Sequence, residues 1–137
     1  MLFHTFSMAL FNHQNHYDRL RINICDLIQN DITANLLDAN KFKEYIDSDP
    51  DLKADFLKTI NLSSLDLMTP TDYITYMSQP YKYGGQLELR YFTKLYNFRV
   101  LVFRNSNLDS PIYVEGVDDA PILILNYSCI SFKWISF

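Results

Sequence analysis

The sequence predicts a mixed α/β (α+β) protein in which a central sheet of C-terminal strands packs between helical layers. Two observations carry this prediction. Apolar residues recur at three- and four-residue intervals through the first two thirds of the chain, whereas the last third changes to continuous runs of β-prone residues. The length, 137 residues, suffices for one hydrophobic core without disulfides or metals, so we expect a single domain over residues 1–137.

Helical periodicity is clearest at the start of the chain. It predicts a core helix over residues 2–11, with a buried stripe of Leu2, Phe3, Phe6, Ala9 and Leu10. A second amphipathic helix is expected over residues 17–28. Shorter helices are expected over residues 41–46 and 51–60, separated by the Asp49-Pro50 pair.

A helix start is indicated at Thr69-Pro70-Thr71-Asp72, where Thr69 suits the N-cap, Pro70 the first turn and Asp72 the third position of a capping box. We expect this helix to occupy residues 73–78. After Tyr83-Gly84-Gly85, a largely buried helix is predicted over residues 86–96.

Three strands are predicted in the last third. The aliphatic runs at residues 99–103 and 122–125 suit central strands that are covered on both faces. The alternation of Ile130, Phe132 and Trp134 with polar residues predicts a third strand with one buried face.

Composition narrows the class of partner. The net charge is −4, so the chain lacks the basic field of a nucleic-acid-binding protein, and a protein partner is expected. We find no long apolar run for a membrane span and no secretory signal, and therefore expect an intracellular protein, cytoplasmic or nuclear. Cys25, Cys129 and the three histidines show no metal-site spacing, so neither a metal nor a cofactor is expected.

Three segments together resemble the ovarian tumour (OTU) family of cysteine proteases, which are deubiquitinases with a papain-type fold. The first is the opening Leu2-Phe3…Ser7…Leu10; the second is Tyr83-Gly84-Gly85…Glu88-Leu89, with tyrosine where the family usually has tryptophan; the third is the closing pair of strands. The segments occur in the family's order and bracket nearly the whole chain. The resemblance therefore implies an OTU-like fold.

The positions that match the family's catalytic residues are altered. The family's first catalytic helix opens with Asp-Gly-Asn-Cys-Leu-Phe; here the Asp-Gly-Asn is absent and Met1 stands at the cysteine position. Ser131 stands at the position of the histidine base, and Lys133 where an orienting Asn or Asp is often found. A thioether cannot form a thiolate, and a serine hydroxyl titrates far above neutral pH. The resemblance thus implies a pseudoenzyme with no intact catalytic residue.

The resemblance also implies a binding surface in the groove between the Met1 end and the Ser131 segment. Its candidate contacts, for ubiquitin or a ubiquitin-like modifier, are Leu2, Phe3, Tyr81, Tyr83, Gly84, Gly85 and Phe132. Glu88 falls between Phe92 and Leu95 by helical phase, so we expect it to be partly buried and structural.

Two alternatives stay open at this point. The chain could be the core of an active deubiquitinase whose nucleophile was lost by truncation or a misplaced start, or a structural subunit of a large assembly. A rebuilt site that pairs His4, His13 or His16 with a thiol such as Cys129 is the less favoured enzymatic arrangement.

Overall fold

A computed structural model describes residues 2–11, 15–82, 84–128 and 131–136, and for residues 128 and 131–136 it describes the backbone. Within these ranges the chain is a mixed α+β protein, which confirms the predicted fold class. Six helices precede, in sequence, a four-stranded sheet that is built from the last third of the chain.

The predicted helices and strands occur in the expected order, with a short 3₁₀ turn and one strand in addition. The helices are α1 (Leu2–Phe11), α2 (Tyr17–Thr33), α3 (Ala39–Asp47), α4 (Pro50–Ile60), α5 (Pro70–Met77) and α6 (Gln86–Tyr96), with a short 3₁₀ turn at Leu65–Leu67. The strands are β1 (Arg99–Arg104), β2 (Tyr113–Glu115), β3 (Ile122–Ser128) and β4 (Ser131–Ser136).

Local chemistry explains where several helices begin and end. At the start of α5 the Thr69 hydroxyl accepts from the Asp72 amide, and the Asp72 carboxylate accepts from the Thr69 amide, which is the predicted capping box. Asp49 caps α4 ahead of Pro50 through its carboxylate alone, which accepts the amides of Asp51 and Leu52. α4 ends at Asn61, whose left-handed φ of 62° suits a helix C-terminus.

The sheet has the strand order β2-β1-β3-β4. β1 and β3 lie in its centre, as predicted, and run parallel to each other, while the edge strands β2 and β4 are antiparallel to their neighbours. The connection between β1 and β3 carries β2, a strand of three residues that the sequence did not indicate.

Burial of the two central strands differs from the prediction. Val100, Val102, Leu123 and Leu125, which share one face, are fully buried. On the other face Phe103 is buried, whereas Leu101 and Ile124 are half-buried and Ile122 is exposed. The predicted coverage of both faces is therefore complete on one face and only partial on the other.

The chain divides into two compact units, one formed by Met1–Ile24 with Tyr83–Phe137 and the other by Cys25–Lys82. In the first, the rings of Phe6 and Phe92 stack at 3.8 Å between centroids, and Phe92 also stacks on Phe98. These aromatic contacts join α1, α6 and the start of β1 into one core. The prediction of a single domain over residues 1–137 stays a prediction.

The second unit has its own aromatic core. Tyr73 packs against Phe42 and Tyr45, and Phe56 against Tyr76. The Tyr76 hydroxyl donates to Asp55 Oδ2 at 2.6 Å, and Lys82 Nζ reaches the same oxygen at 3.0 Å. These two bonds lower the pKa of Asp55, the tyrosine bond being the largest cause.

Candidate functional site

The turn at Gly84 and Gly85 lies directly against the start of α1. A β-carbon on Gly84 would stand 3.0 Å from Leu2 Cδ2 and 3.3 Å from Phe3 Cε2. These separations are shorter than an ordinary carbon–carbon contact of about 3.5–4.0 Å. Glycine at this position therefore lets the turn before α6 and the first turn of α1 approach closely, which brings two of the three family-like segments together.

Glu88 fixes the same turn from inside. Its side chain is fully buried, and Oε1 accepts the Gly85 amide at 2.7 Å. Gly85 has no side chain to return a bond, so only the glutamate half of a capping box exists here. The acceptor satisfies one of the orphan amides at the α6 N-terminus, where the helix dipole also favours a negative charge.

Leu2 and Phe3, which we expected to contact a partner, lie in the core. They are 1% and 0% exposed, because the first turn of α1 is covered by the Gly84 turn. The Arg21 guanidinium stacks over the Phe3 ring at 4.3 Å. In this structure both side chains support the turn and offer almost no surface of their own.

Arg21 also contributes to this region, although it was not among the residues predicted from the sequence. It lies in α2 and is 3% exposed. The signal was present, since Tyr17, Arg21, Ile24 and Ile28 follow the helical spacing of one face. A basic residue on an otherwise apolar stripe was the feature to notice.

β4 places the altered C-terminal positions beside the end of β3. Ser131 pairs with Ser128, Phe132 with Tyr127 and Lys133 with Asn126. The first residue of β4 therefore lies at the edge of the sheet where the parallel strands β1 and β3 also end, and β4 packs alongside α1. Met1, at the opposite chain position, lies outside the described residues.

A tight turn borders this edge of the sheet. Asn105 and Ser106 both adopt left-handed φ values, and the side chain of Asn126 accepts the Ser106 amide at 2.8 Å. The Asn105 amide donates to the Tyr127 carbonyl at 2.9 Å. This turn was not predicted, although an Asn-Ser-Asn segment directly after a strand is a turn signal.

Tyr81 is the most exposed of the candidate contacts. Its residue surface is 84% exposed, and its φ of 68° is left-handed, an uncommon conformation for a bulky residue. The following residue, Lys82, is held by Asp55 and by Thr59. Tyr83 lies outside the described residues.

Two residues considered as an alternative base and nucleophile, His4 and Cys25, are packed against other parts of the protein. The His4 ring stacks on Tyr17 at 4.0 Å, and burial is the largest cause that lowers its pKa, followed by positive charges that include Arg21, while Asp18 raises it. The sulfur-bearing Cys25 is 3% exposed.

The remaining catalytic candidates, a metal site and a membrane span were also sought in the part of the chain that the structure describes. His13 and Cys129 lie outside the described residues, while the His16 backbone amide donates to Ser7 Oγ. No group of three or more His, Cys, Asp or Glu side chains that could hold a metal is found over the described ranges. None of the described helices is long and apolar enough to cross a bilayer.

Comparison with solved structures identifies the fold. The structure of the OTUD1 OTU domain matches with a TM-score of 0.58 at 14% identity, over 92% of this chain and 71% of that one. The viral OTU domain protease from Dera Ghazi Khan virus matches with a TM-score of 0.60 at 15% identity, over 98% and 74%. The viral OTU domain protease from Farallon virus matches with a TM-score of 0.58 at 15% identity, over 98% of this chain and 78% of that one.

These likenesses, at low identity, show that the chain has an OTU-like fold, as the sequence resemblance implied. No protein-family model and no curated protein matches the sequence significantly.

Proposed function

We propose that this OTU-like fold is a catalytically inactive binding module for a protein, with ubiquitin or a ubiquitin-like modifier as the candidate ligand. The observation that carries the proposal is Ser131, which lies at the start of β4 where the resemblance places the family's histidine base, while the described elements keep an OTU-like fold.

The chemistry of the altered positions supports inactivity. Attack on an isopeptide carbonyl needs a thiolate and a base that accepts its proton. Met1 supplies no ionisable sulfur, and Ser131, at the start of β4, supplies no group that titrates near neutral pH. Cys25 is buried inside α2 and lacks the access that a nucleophile requires.

Features of the retained fold support binding. A fully buried carboxylate at Glu88 is costly unless it is hydrogen-bonded, and here it organises the turn that contacts α1. Tyr81 is 84% exposed and has a left-handed, strained backbone conformation. The next residue, Lys82, is held in place by its bond to Asp55. Tyrosine contributes large contact area at low entropic cost, so Tyr81 is our principal candidate contact in its unit. Tyr83, Gly84, Gly85 and Phe132 are the candidate contacts of the other unit.

A titration of the labelled chain with ubiquitin tests binding. We expect the amide resonances of Gly84, Gly85 and Ser131 to shift, and Tyr81→Ala to raise Kd about tenfold, the effect of losing about 1.4 kcal/mol. Leu36→Ala, an exposed apolar change in the same unit as Tyr81, is the matched control and should leave Kd unchanged. Absence of shifts at about 1 mM ubiquitin would remove it as the ligand.

A separate assay tests inactivity. Incubation with a ubiquitin vinyl sulfone probe and with diubiquitin should give neither adduct nor cleavage. Labelling of Cys25 or Cys129, or turnover of diubiquitin, would show that the active-enzyme alternative is correct. An in-frame Asp-Gly-Asn-Cys upstream of Met1 in the genomic sequence would favour that alternative as well.

A further inference from the structure

The sheet presents an apolar surface on its less covered side, which we call the outer face and define as Leu101, Val114, Ile122 and Ile124. Leu101 stands opposite Val114 on β2 and Ile124 on β3, so these three side chains form a row across three strands. Val114 and Ile122 are 47% and 41% exposed, and Leu101 and Ile124 are half-buried. Towards the other end of β1, the same side is closed at Phe103, which is buried.

The residue types of the outer face do not suit a solvated surface. A sheet with one face in water alternates apolar and polar residues, whereas strands covered on both faces have continuous aliphatic runs. β1 and β3 have such runs, and their inner set (Val100, Val102, Leu123 and Leu125) is already fully buried. The residues of the outer face are therefore typical of a sheet face that is covered by another layer of structure.

We propose that the outer face docks an amphipathic helix from a partner protein, with an apolar stripe on the row and basic side chains along one flank. A strand would add at a sheet edge through backbone hydrogen bonds, whereas a face is covered by side chains. Three adjacent strands span about 10 Å, which is the diameter of one helix.

Acidic residues near one end of the outer face are the reason for proposing basic side chains on the docked helix. Arg99 stands opposite Ile122, and its guanidinium donates to Asp118 Oδ1 at 2.9 Å while the Asp118 side chain remains 97% exposed. Asp119 follows Asp118 in sequence and is exposed as well. This segment therefore carries two carboxylates against the one guanidinium of Arg99, and its net negative charge favours an approaching lysine or arginine.

The same charge argues against a second copy of this chain as the occupant. The protein carries a net charge of −4, and a two-fold contact through the outer face would bring a second acidic molecule against the first. The proposal does not depend on ubiquitin binding, which concerns the Gly84–Gly85 turn and β4.

The experiment titrates the labelled full chain with a helix-forming peptide of about 18 residues, five turns, that carries leucine on one stripe and lysine elsewhere. The comparison peptides are a leucine–glutamate version with the same stripe and a scrambled leucine–lysine peptide without one. We expect the leucine–lysine helix to shift the amides of Leu101, Val114, Ile122 and Ile124, and to bind at least about tenfold more tightly than either comparison peptide.

Variants locate the site. Val114→Glu with Ile122→Glu should weaken binding by at least about tenfold, whereas Leu36→Glu, the matched exposed control, should not. Asp119→Lys should weaken the leucine–lysine peptide and strengthen the leucine–glutamate peptide. Val114→Ser replaces the double variant if the latter loses its native circular dichroism, and it should weaken binding in the same direction.

Several results would overturn the proposal. These are shifts that map to other residues, equal affinity for the scrambled peptide, or no effect of either sheet variant. Concentration-dependent dimerisation that Val114→Ser abolishes would instead identify a second copy as the occupant.

Discussion

Removal of the Glu88 carboxylate provides the sharpest test of how the Gly84–Gly85 turn is held. Glu88→Ala leaves the Gly85 amide without its acceptor, and losing a hydrogen bond to a charged group costs about 1.5–3 kcal/mol. The void left by a fully buried side chain adds to this cost, while relief of the buried charge offsets part of it. We expect a net loss of roughly 2–3 kcal/mol in the free energy of unfolding.

Glu88→Gln separates charge from shape. The amide keeps the volume and one acceptor oxygen, so the expected loss is smaller, about 1 kcal/mol. Urea denaturation followed by circular dichroism gives both values, and hydrogen exchange at the Gly85 amide shows whether the loss is local, since protection there should fall in Glu88→Ala.

Glu44→Ala, at an exposed position of α3, is the matched control and should change stability by less than about 0.5 kcal/mol. The reasoning would be refuted if Glu88→Ala were as mild as this control, or if Glu88→Gln were the more damaging of the two. Either result would mean that the carboxylate does not hold the turn.

The remaining predictions concern a glycine and two titrating groups. Gly116→Ala should lower the free energy of unfolding by at least about 2 kcal/mol in a thermal melt, since φ is +100° and a β-carbon would stand 2.3 Å from the Phe98 carbonyl oxygen; a change near zero would contradict the strained geometry. His4 has a lowered pKa, so its neutral form favours the fold: stability should be full above pH 6.5 and fall as pH drops from 6.5 through the folded pKa. Urea melts across this range should show the fall, and His4→Gln should reduce it. Tyr76→Phe should raise the pKa of Asp55 towards 3.8 and cost about 1 kcal/mol at neutral pH. The stability that Asp55 contributes is present above pH 3.8 and lost below it as pH falls through the folded pKa, so wild type and variant should converge in acid.

Much of the fold could be predicted because its signals are local. The bounds of α1 and α6 match their predicted ranges, since an apolar stripe repeats every three to four residues within one helix. The cap at Thr69 is readable for the same reason, and α5 begins at Pro70, the position that the capping signal predicts, although the range expected for the helix, residues 73–78, begins later. Extension of α2 to Thr33 was missed because polar residues in its last turns hide the periodicity.

The candidate site was less predictable. The resemblance named Gly84 and Glu88 by position, but burial of Leu2 and Phe3 depends on a turn more than eighty residues away in the chain. The strand β2 was missed because three residues give no periodicity, and its pairing with β1 is decided by the sheet. The roles of Met1, Tyr83, Ser131, Phe132 and Lys133 stay predictions.

By itself, the sequence determined the helices, the central strands, the OTU-like order of segments and the absence of a cysteine from α1, because periodicity, capping and residue chemistry act over a few neighbouring positions. Tertiary structure alone decided which of these residues meet: the Gly84 turn against α1, β4 beside the end of β3, and an aliphatic sheet face only half covered. Such contacts join residues far apart in the chain, and their formation depends on the packing of complete elements rather than on any local preference.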